Sequence, residues 1–413
     1  MMKKVRLTFL PVFLLFSLLP TWSCNRVDES KKEAWAEAEG LKEGAKWYEA
    51  GNDEFVILGW VGLKDDLAKP IQFRPMRQCG FNTYLCWIPA NRLKAVLDHA
   101  RDAGVKVLPH IAADEIGTVV PQIKDHPALY GYYLKDEPEI TEFSALGREI
   151  AAVKELDTDH PCYINVYPSY YNKWTAGYPR ILREYIRTVG VPFLSFDYYP
   201  VLEVDKERVL RPGWYACLED VRSVSREFQI PFWAFALASS HRPSAGTFYP
   251  QPTVEELRLQ QFSNLLYGAQ GFQYFTYWAL YQEGPTEVYP RVKTVNRELQ
   301  AMAFIFKDAD VTDVRHTGAS IPEGTRALDG MPAGIKSLVS GDAGVIVSTV
   351  EKGGRHYVAI LNKDFKLSQK VHVEMDARYR RFSRTGAASL PSLESSLDLT
   401  LEPSDLIVFE ILQ

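Results

Sequence analysis

The segment Leu129–Glu139, LYGYYLKDEPE, gives the strongest structural signal in this sequence. Its aromatic and apolar residues alternate with a period of two, and Gly131 leaves room for close packing, so the segment predicts a buried β-strand. The strand is expected to end at Asp136-Glu137-Pro138, because proline has no N–H to donate to the next hydrogen bond of a sheet. Two carboxylic acids therefore stand at the C-terminal tip of one strand.

The same two acids allow a second interpretation, in which Asp136 or Glu137 is the N-cap of a helix that continues from Thr141. An N-cap explains one acid at this position but not two. It also leaves unexplained the acids and aromatic residues at the ends of other predicted strands. We therefore interpret this pair of acids as the tip of a strand.

Segments with strand character alternate with helical segments over residues 51–310. The eight predicted strands are Phe55–Gly62, Phe81–Ile88, Val105–Ile111, Leu129–Lys135, Cys162–Tyr167, Pro192–Tyr199, Pro231–Ala238 and Gly271–Trp278. The predicted helices are Ala68–Cys79, Asn91–Ala103, Val120–Lys124, Glu142–Leu156, Pro179–Val189, Trp214–Phe228, Thr253–Tyr267 and Val295–Phe306. Eight strand–helix units over about 250 residues are the usual size of a (β/α)8 TIM barrel, and right-handed crossovers make its sheet parallel. The predicted fold class is α/β, with this barrel as the catalytic domain.

Residues 311–413 have a different pattern, because helical periodicity stops near Val311. Short alternating runs are separated there by Gly, Pro, Asp and Asn; they are Ala343–Val350, Arg355–Leu361, Gln369–Met375 and Asp405–Leu412. This pattern predicts a small antiparallel β-sandwich. No combination of its residues suggests chemistry, so we expect an accessory domain that packs on the barrel or contacts carbohydrate.

Residues 1–24 have the features of an export signal. Three basic residues precede the apolar run Leu7–Leu19, which is too short for a stable membrane-spanning helix. The sequence that follows resembles a bacterial lipoprotein signal, which implies cleavage before Cys24 and lipidation of its thiol. Asp28 and Glu29 resemble the surface-export signals of Bacteroidetes lipoproteins.

Residues 25–50 are charged and rich in alanine, which is typical of a tether or a short surface helix. We expect a protein of the cell envelope that is held at the outer membrane, on its periplasmic or outer surface, only by an N-terminal lipid. The alternative is an ordinary secretory peptide, whose removal would give a secreted protein.

The composition argues against several classes of function. The chain of 413 residues has 47 Lys and Arg against 52 Asp and Glu, and no basic tract interleaves with aromatic residues, so nucleic acid is not an expected partner. The four cysteines after the signal show no C-x-x-C; they are Cys79, Cys86, Cys162 and Cys217, and we expect small buried thiols. No H-x-H or H-E-x-x-H occurs, so neither a metal site nor a cofactor is predicted.

Side chains suited to sugar chemistry recur at the C-terminal ends of the predicted strands, where a barrel of this kind keeps its active site. Aromatic residues make up 13% of the chain, and their rings can pack on the apolar C–H faces of sugars. Each ring alone fits the core equally well, but together they indicate a pocket. The candidates for substrate contact are Trp60, Trp87, His110, Asn165, Tyr167, Tyr198, Tyr199, His241, Tyr277 and Trp278, and the candidate catalytic acids are Asp136, Glu137 and Asp197.

Cleavage of a glycosidic bond needs a protonated acid at the leaving oxygen. It also needs a carboxylate, or the substrate's own acetamido group, near the anomeric carbon. We predict Glu137 as the acid, because neighbouring Asp136, nearby aromatic rings and partial burial would each raise the pKa of Glu137 toward neutrality.

Three segments together resemble the TIM-barrel glycoside hydrolases: Gly131–Pro138 (GYYLKDEP), Phe196–Pro200 (FDYYP) and the run from PTVEELR to GAQGFQYFTYW in Pro252–Trp278. The resemblance covers the barrel, roughly residues 55–306. The large retaining clan of these enzymes has an acid/base Glu after strand four, which implies that role for Glu137. That Glu is usually preceded by Asn, where this chain has Asp. A trailing β-sandwich is also common in the group.

Strand seven departs from that clan, which takes its nucleophile Glu from the end of this strand; Trp233–Ser239 (WAFALAS) contains no acid. Three solutions remain open. Asp197 is the second carboxylate, as nucleophile at about 5–5.5 Å from the acid or as base at about 6.5–9.5 Å. Alternatively, the Asp136–Glu137 pair resembles that of hexosaminidases, which implies that Asp136 orients a substrate acetamido group with the help of a tyrosine after Asp197. In the third, the site has lost catalysis and only binds glycan.

The sequence therefore predicts an exported glycoside hydrolase that acts on an oligo- or polysaccharide. The alternative of a different class is a surface protein that binds glycans on a barrel scaffold without cleaving them.

Overall fold

The structure is a computed structural model that describes residues 54–63, 69–171, 177–244 and 247–412. The predicted signal peptide with Cys24 and the predicted tether of residues 25–50 lie outside the described residues. Within the described ranges, no helix is both long and apolar enough to cross a membrane.

The first part of the chain is a mixed α/β structure. Its strands are β1 (Val56–Trp60), β2 (Thr83–Cys86), β3 (Lys106–Pro109), β4 (Tyr132–Asp136), β5 (Cys162–Asn165), β6 (Leu194–Phe196), β7 (Val201–Val204), β8 (Glu207–Leu210), β9 (Phe232–Leu237), β10 (His241–Ser244), β11 (Thr247–Tyr249) and β12 (Gly271–Phe275). Six of them form a curled parallel half-barrel in the order β3-β2-β1-β12-β9-β6, and β4 and β5 form a parallel pair. The hairpins β7–β8 and β10–β11 are antiparallel and were not predicted from the sequence.

Isolated parallel bridges connect the β4–β5 pair to both ends of the half-barrel. Val107 bridges to Leu129 and His110 to Tyr133 between β3 and β4, and Val166 after β5 bridges to Phe196 in β6. The C-terminal ends of β4, β5 and β6 therefore lie side by side.

Helices follow the parallel strands in alternation. They are α1 (Pro70–Gln78), α2 (Ala90–Asp102), α3 (Ile116–Ile123), α4 (Phe143–Leu156), α5 (Tyr178–Val189), α6 (Trp214–Phe228), α7 (Val254–Leu266), α8 (Val288–Ala301) and α9 (Ala303–Phe306). A capping box starts α7, since Thr253 and Glu256 each bond the other's backbone N–H. Helix α8 begins seven residues earlier than predicted, because Pro290 lies in its first turn, where a missing N–H costs no hydrogen bond.

The parallel strands are buried on both faces, which is typical of sheets covered by helices. One face packs under the helices in the main hydrophobic core. The opposite face lines the concave side of the half-barrel with a separate cluster of large side chains, which includes Trp60, Tyr133, Tyr163, Tyr199 and Phe235. This second cluster forms the floor beneath the strand tips.

The strands of the C-terminal part pair with one another in antiparallel fashion. Its strands are β13 (Asp310–His316), β14 (Ile335–Ser340), β15 (Val345–Lys352), β16 (Arg355–Asn362), β17 (Gln369–Met375), β18 (Arg378–Ser383), β19 (Ser396–Leu401) and β20 (Leu406–Leu412). They form a five-stranded sheet, β13-β15-β16-β20-β18, and a three-stranded sheet, β14-β17-β19, which share one apolar core.

The five-stranded sheet is covered on its other face by the α/β part. In β15, Val345 and Val347 face the three-stranded sheet, whereas Ile346 and Val350 join the main core of the α/β part. The hydroxyl of Ser348 donates to the carbonyl of Leu266 at 2.8 Å. Alternate residues of β15 therefore pack against two different partners, the three-stranded sheet and the α/β part.

The four cysteines of the described residues are buried and free, which confirms the prediction of small core thiols; they are Cys79, Cys86, Cys162 and Cys217.

Candidate functional site

Three carboxylic acids meet at the neighbouring tips of β4, β5 and β6; they are Asp136, Glu137 and Asp197, here called the acid cluster. Strand register brings them together, because Asp136 is paired with Asn165 and the residue after Asn165 bridges to Phe196, directly before Asp197. The sequence predicted this convergence from positions far apart in the chain.

Asn165 holds two members of the acid cluster in place. Its amide nitrogen donates to Oδ1 of Asp136 at 3.2 Å and to Oδ1 of Asp197 at 2.9 Å. Since one nitrogen contacts both oxygens, these oxygens lie within about 6 Å of each other. Asn165 was predicted to contact substrate; it is buried, and its hydrogen bonds position the acids.

A chain of buried polar groups fixes Asn165 from below. Ser195 donates to Oδ1 of Asn165 at 2.9 Å, and Gln273 donates from Nε2 to the Ser195 hydroxyl at 2.9 Å. The Tyr163 hydroxyl donates to Oε1 of Gln273 at 2.6 Å. These three residues were not predicted, although Ser195 lies two positions before Asp197 and therefore shares its face of the strand.

Glu137 has an unusual backbone conformation. Its φ is 45°, a left-handed value that costs a residue with a side chain of order 1–3 kcal/mol. Its N–H donates to the carbonyl of Asn165 at 2.8 Å, which extends the β4–β5 pairing by one residue and fixes this turn. Among the described residues, no group donates a hydrogen bond to its carboxyl within the usual distances.

The N-cap interpretation of Asp136 and Glu137 is wrong. Glu139 is the capping residue instead, in a capping box with Glu142 at the start of the 3₁₀ turn that leads into α4. Helix initiation therefore uses different acids and leaves the carboxyl groups of Asp136 and Glu137 at the strand tip.

Burial and mutual repulsion raise the pKa of every member of the acid cluster. Burial raises the pKa of Glu137 to about 9, with the negative charges of Asp197 and Asp136 adding to the effect. Burial, with the charge of Asp197 second, raises the pKa of Asp136 to about 7. Burial also raises the pKa of Asp197, to about 6, against hydrogen bonds from Asn165 and Tyr199 that favour its ionised form. At neutral pH the cluster thus combines a protonated and an ionised carboxyl group.

An aromatic wall stands on the β1–β3 side of the site. It consists of Trp60, Trp87, His110 and Tyr133, whose rings lie 5.1–6.2 Å apart in edge-to-face and stacked pairs. Trp87 is 46% exposed, so its ring is accessible to a ligand. Burial lowers the pKa of His110 below its ordinary value, which favours the neutral ring. Three members were predicted; Tyr133 was missed as a member of the wall.

A second group of rings lies beside Asp197 and Glu137. Tyr167 stacks on Tyr171 with ring centres 3.6 Å apart, and the charge of Glu137 contributes to raising the pKa of both phenols. His241 packs at 4.9 Å on Tyr249, and Tyr249 packs at 5.8 Å on Tyr199. Tyr167, Tyr199 and His241 therefore lie where they were predicted, near the acid cluster.

Two predicted contact residues are directed elsewhere. Tyr277 is fully buried and packs on Phe81 at 5.3 Å in the core under the helices, because β12 ends at Phe275 and a 3₁₀ turn begins. Tyr198 is also buried, and its hydroxyl donates to the carbonyl of Pro212 at 2.6 Å, as alternation about Asp197 requires. The structure therefore buries the side chains of Tyr277 and Tyr198 away from the acid cluster. Trp278 lies within this turn and is partly exposed, and its backbone N–H donates to the Val61 carbonyl at 3.2 Å.

Tyr170, Arg211 and Tyr249 also border the site, and none was predicted. The guanidinium of Arg211 lies 4.3 Å from the ring centre of Tyr170 and donates to the Tyr249 hydroxyl at 2.7 Å. They come from loops and hairpins whose positions local periodicity does not encode. Within the part of the chain that is described, no three His, Cys, Asp or Glu residues are arranged to hold a metal ion.

No protein-family model and no curated protein matches this chain. Solved structures are similar in fold at low identity. A cycloisomaltooligosaccharide glucanotransferase from Paenibacillus, complexed with cycloisomaltoheptaose, has a TM-score of 0.55 at 8% identity, over 87% of this chain and 86% of its own. A family 39 glycoside hydrolase from Bacteroides cellulosilyticus WH2 has a TM-score of 0.52 at 10% identity, over 88% and 82%. A family 27 β-L-arabinopyranosidase from Geobacillus stearothermophilus has 0.51 at 9%, over 88% and 98%. These similarities extend to the C-terminal part of the chain and concern the fold.

Proposed function

We propose that this protein is a glycoside hydrolase that cleaves glycosidic bonds in an oligo- or polysaccharide. The observation that carries the proposal is the Asn165 amide, which holds Asp136 and Asp197 together beside Glu137. A cluster of buried acids with separated pKa values is what glycoside hydrolysis requires. The solved structures similar in fold include glycoside hydrolases, which supports the same conclusion.

The proposal includes a closed (β/α)8 barrel for residues 51–310 and an accessory β-sandwich for residues 311–413. The isolated bridges on both sides of the β4–β5 pair support closure, since they supply the two strand contacts that the half-barrel lacks. Closure would place all eight strand tips around one bowl, which is where this fold carries its chemistry.

In this proposal Glu137 is the general acid and Asp197 is the second carboxylate. Glu137 receives no hydrogen bond on its carboxyl from the described residues, and burial keeps it protonated. Asp197 accepts from Asn165, and this hydrogen bond with that of Tyr199 stabilises its ionised form. Asp136 lies beside both and adds negative charge, which strengthens proton retention by Glu137.

Two rival mechanisms make different demands on the same residues. Substrate-assisted cleavage would use Asp136 to orient an acetamido group with the help of Tyr198 or Tyr199. Tyr198 is directed away from the site, and the hydroxyl of Tyr199 is engaged by Asp197. A glycan-binding protein without catalysis has no use for a carboxyl held in a strained turn beside two others. Both considerations favour Glu137 with Asp197.

The test compares the wild type with Glu137→Gln on N-acetylated and neutral glycans, following the release of reducing ends. We expect Glu137→Gln to lose at least about 10³-fold in turnover, because it cannot donate the proton. The matched control is Glu155→Gln, which changes an exposed glutamate on α4 and should leave turnover unchanged. Near-normal turnover by the Glu137 variant would refute its role, and absence of cleavage by the wild type on every glycan would favour the binding protein.

We also propose that the chain is exported and anchored through a lipid on Cys24, on the sequence signal alone. Replacement of Cys24 by Ser should move the expressed protein from the membrane fraction to the soluble fraction. Retention of the variant in the membrane fraction would contradict lipid anchoring.

A further inference from the structure

Arg211 stands at the edge of the acid cluster because a hairpin returns the chain there. Strand β6 leads through Asp197 into the hairpin β7–β8, and Arg211 is the first residue after it. The N–H of Arg211 donates to the carbonyl of Pro200 at 2.7 Å, which closes the base of the hairpin. Arg211 is therefore returned to the tip of the strand that carries Asp197.

Two tyrosine rings fix the guanidinium of Arg211. Its central carbon lies 4.3 Å from the ring centre of Tyr170 and 5.7 Å from that of Tyr249. Tyr170 is 41% exposed, and the negative charge of Asp197 contributes, after burial, to raising the pKa of its phenol. Tyr249 packs on Tyr199, the residue whose hydroxyl bonds Asp197. Tyr170 thus lies between the cation and Asp197 on one route, and Tyr249 and Tyr199 lie between them on another.

No carboxylate among the described residues lies within ion-pair distance of Arg211. Its Nη2 donates to the Tyr249 hydroxyl, and its buried Nε has no hydrogen-bond partner within the same part of the chain. Arg208, on the same hairpin, provides the contrast, since its guanidinium forms an ion pair with Glu256. A partly buried guanidinium with unused donors is costly to maintain unless an anion completes it.

We propose that Arg211 binds an anionic substituent of the sugar chain, a carboxylate or a sulfate, so that the substrate class is an acidic glycan. The inference rests on the proposed function for the site itself, but its binding test does not require cleavage. A planar guanidinium offers paired N–H donors that match carboxylate and sulfate oxygens. Its positive charge would also offset the repulsion between such a substrate and the ionised acids beside it.

The test is calorimetry of oligosaccharides in a Glu137→Gln background, in which the probes are not turned over. The probes are an oligogalacturonide and a glucuronate-containing oligosaccharide for carboxylate, a galactose-6-sulfate oligosaccharide for sulfate, and neutral galacto- and gluco-oligosaccharides of equal length. In this background we compare the protein that retains Arg211 with the Arg211→Gln variant and with the Arg211→Lys variant, which keeps the positive charge. The control is Arg242→Gln, because Arg242 also lies over a ring, Phe248 at 4.2 Å, but is exposed on the next hairpin.

We expect at least one acidic probe to bind about 10-fold or more tighter than its neutral counterpart, which corresponds to about 1.4 kcal/mol. Arg211→Gln should remove this preference and leave neutral binding within about 3-fold, a change worth well under 1 kcal/mol. Arg211→Lys should keep part of the preference, and Arg242→Gln should keep all of it. Added salt should weaken only the acidic probes.

Equal binding of acidic and neutral probes, failure of every acidic probe to bind, or an equal loss on both kinds in Arg211→Gln would overturn the inference. A preference for the carboxylate or for the sulfate probes identifies the anionic group that Arg211 binds. Either preference supports the inference. A cleavage assay of the wild-type protein distinguishes failure of the inference about Arg211 from failure of the proposed function. Arg211-dependent binding without cleavage would sustain the inference and end the proposed function, whereas cleavage of neutral glycans without Arg211 dependence would do the reverse.

Discussion

The acid cluster and the C-terminal sheet both bury carboxylates, but they treat them in opposite ways. In β20, Glu410 is buried and accepts from Arg380 at 2.9 Å and from Arg355 at 3.4 Å. Among the described residues, none of the three clustered acids has an arginine or lysine within ion-pair distance. Buried Glu410 is thus neutralised by two arginines, whereas buried Glu137 at the strand tip is neutralised by a proton. The second arrangement costs stability and supplies a proton donor.

Removal of Asp197, the acid assigned to the ionised state, should have the largest effect. Asp197→Asn should lower turnover about 10²–10⁴-fold, because it removes the nucleophile or base while leaving a side chain of the same shape. Glu410→Gln, which removes a buried acid of the paired kind, should leave turnover within a few-fold. Steady-state kinetics on one cleaved glycan measures both, and comparable losses in the two variants would contradict the assignment.

The dependence of rate on pH is the next test. Glu137 must be protonated and Asp197 ionised, so kcat/KM should fall as pH rises through about 9 and as it drops through about 6, by about 10-fold per pH unit at each extreme. Tyr199→Phe removes a hydrogen bond to ionised Asp197, so it should move the lower limit upward and leave the upper limit unchanged. A lower limit that stays in place would show that Asp197 does not set it.

The aromatic wall gives a smaller effect. Trp87→Ala should raise KM about 10-fold with little change in kcat, because the ring is 46% exposed and contributes binding area rather than protons. Tyr277→Phe is the matched control, since Tyr277 is fully buried under the helices. A loss in kcat equal to the rise in KM would place Trp87 in the reaction itself.

Substitution of the two kinds of buried acid should change the stability of the protein in opposite directions. The folded state holds the proton of Glu137 to a pKa of about 9, whereas the unfolded chain releases it near the ordinary value, so wild-type stability declines as pH rises between these values. Glu137→Gln should therefore raise the melting temperature by a few degrees at pH 8 and by less at pH 5. Glu410→Gln should lower the melting temperature, because it should reduce the free energy of unfolding by about 1–3 kcal/mol. Thermal melts at both pH values decide, and destabilisation by both variants would contradict the contrast.

Local sequence was sufficient for the strand order and for the convergence of the acids. Period-two segments ending in Asp136 and Asp197 place both acids at strand tips, and parallel neighbours bring those tips together. Strand alternation also predicts that Tyr198 and Asp197 point to opposite faces of the strand. Their adjacent positions in the sequence nevertheless suggested that both line the site. Tyr277 was misplaced because the end of β12 depends on a turn that the aromatic run conceals.

The residues that the sequence did not identify depend on contacts between distant segments. Ser195 and Gln273 are 78 positions apart in the sequence and meet only across the concave face, where they support Asn165. Arg211 is brought to the site by the β7–β8 hairpin, which no periodic pattern in the sequence predicted. Loop conformation and cross-strand hydrogen bonding are properties of the folded chain, so neither could be obtained from spacing alone.

The proposed mechanism requires Glu137 to keep its proton at neutral pH inside the acid cluster. Carbon-13 NMR titration of glutamate side-chain carboxyl groups, assigned by comparison with Glu137→Gln, measures this directly. We expect a Glu137 resonance of the protonated form at pH 7 and a midpoint near pH 9. A resonance already in the ionised form at pH 6 would refute the proposed role of Glu137 as the general acid.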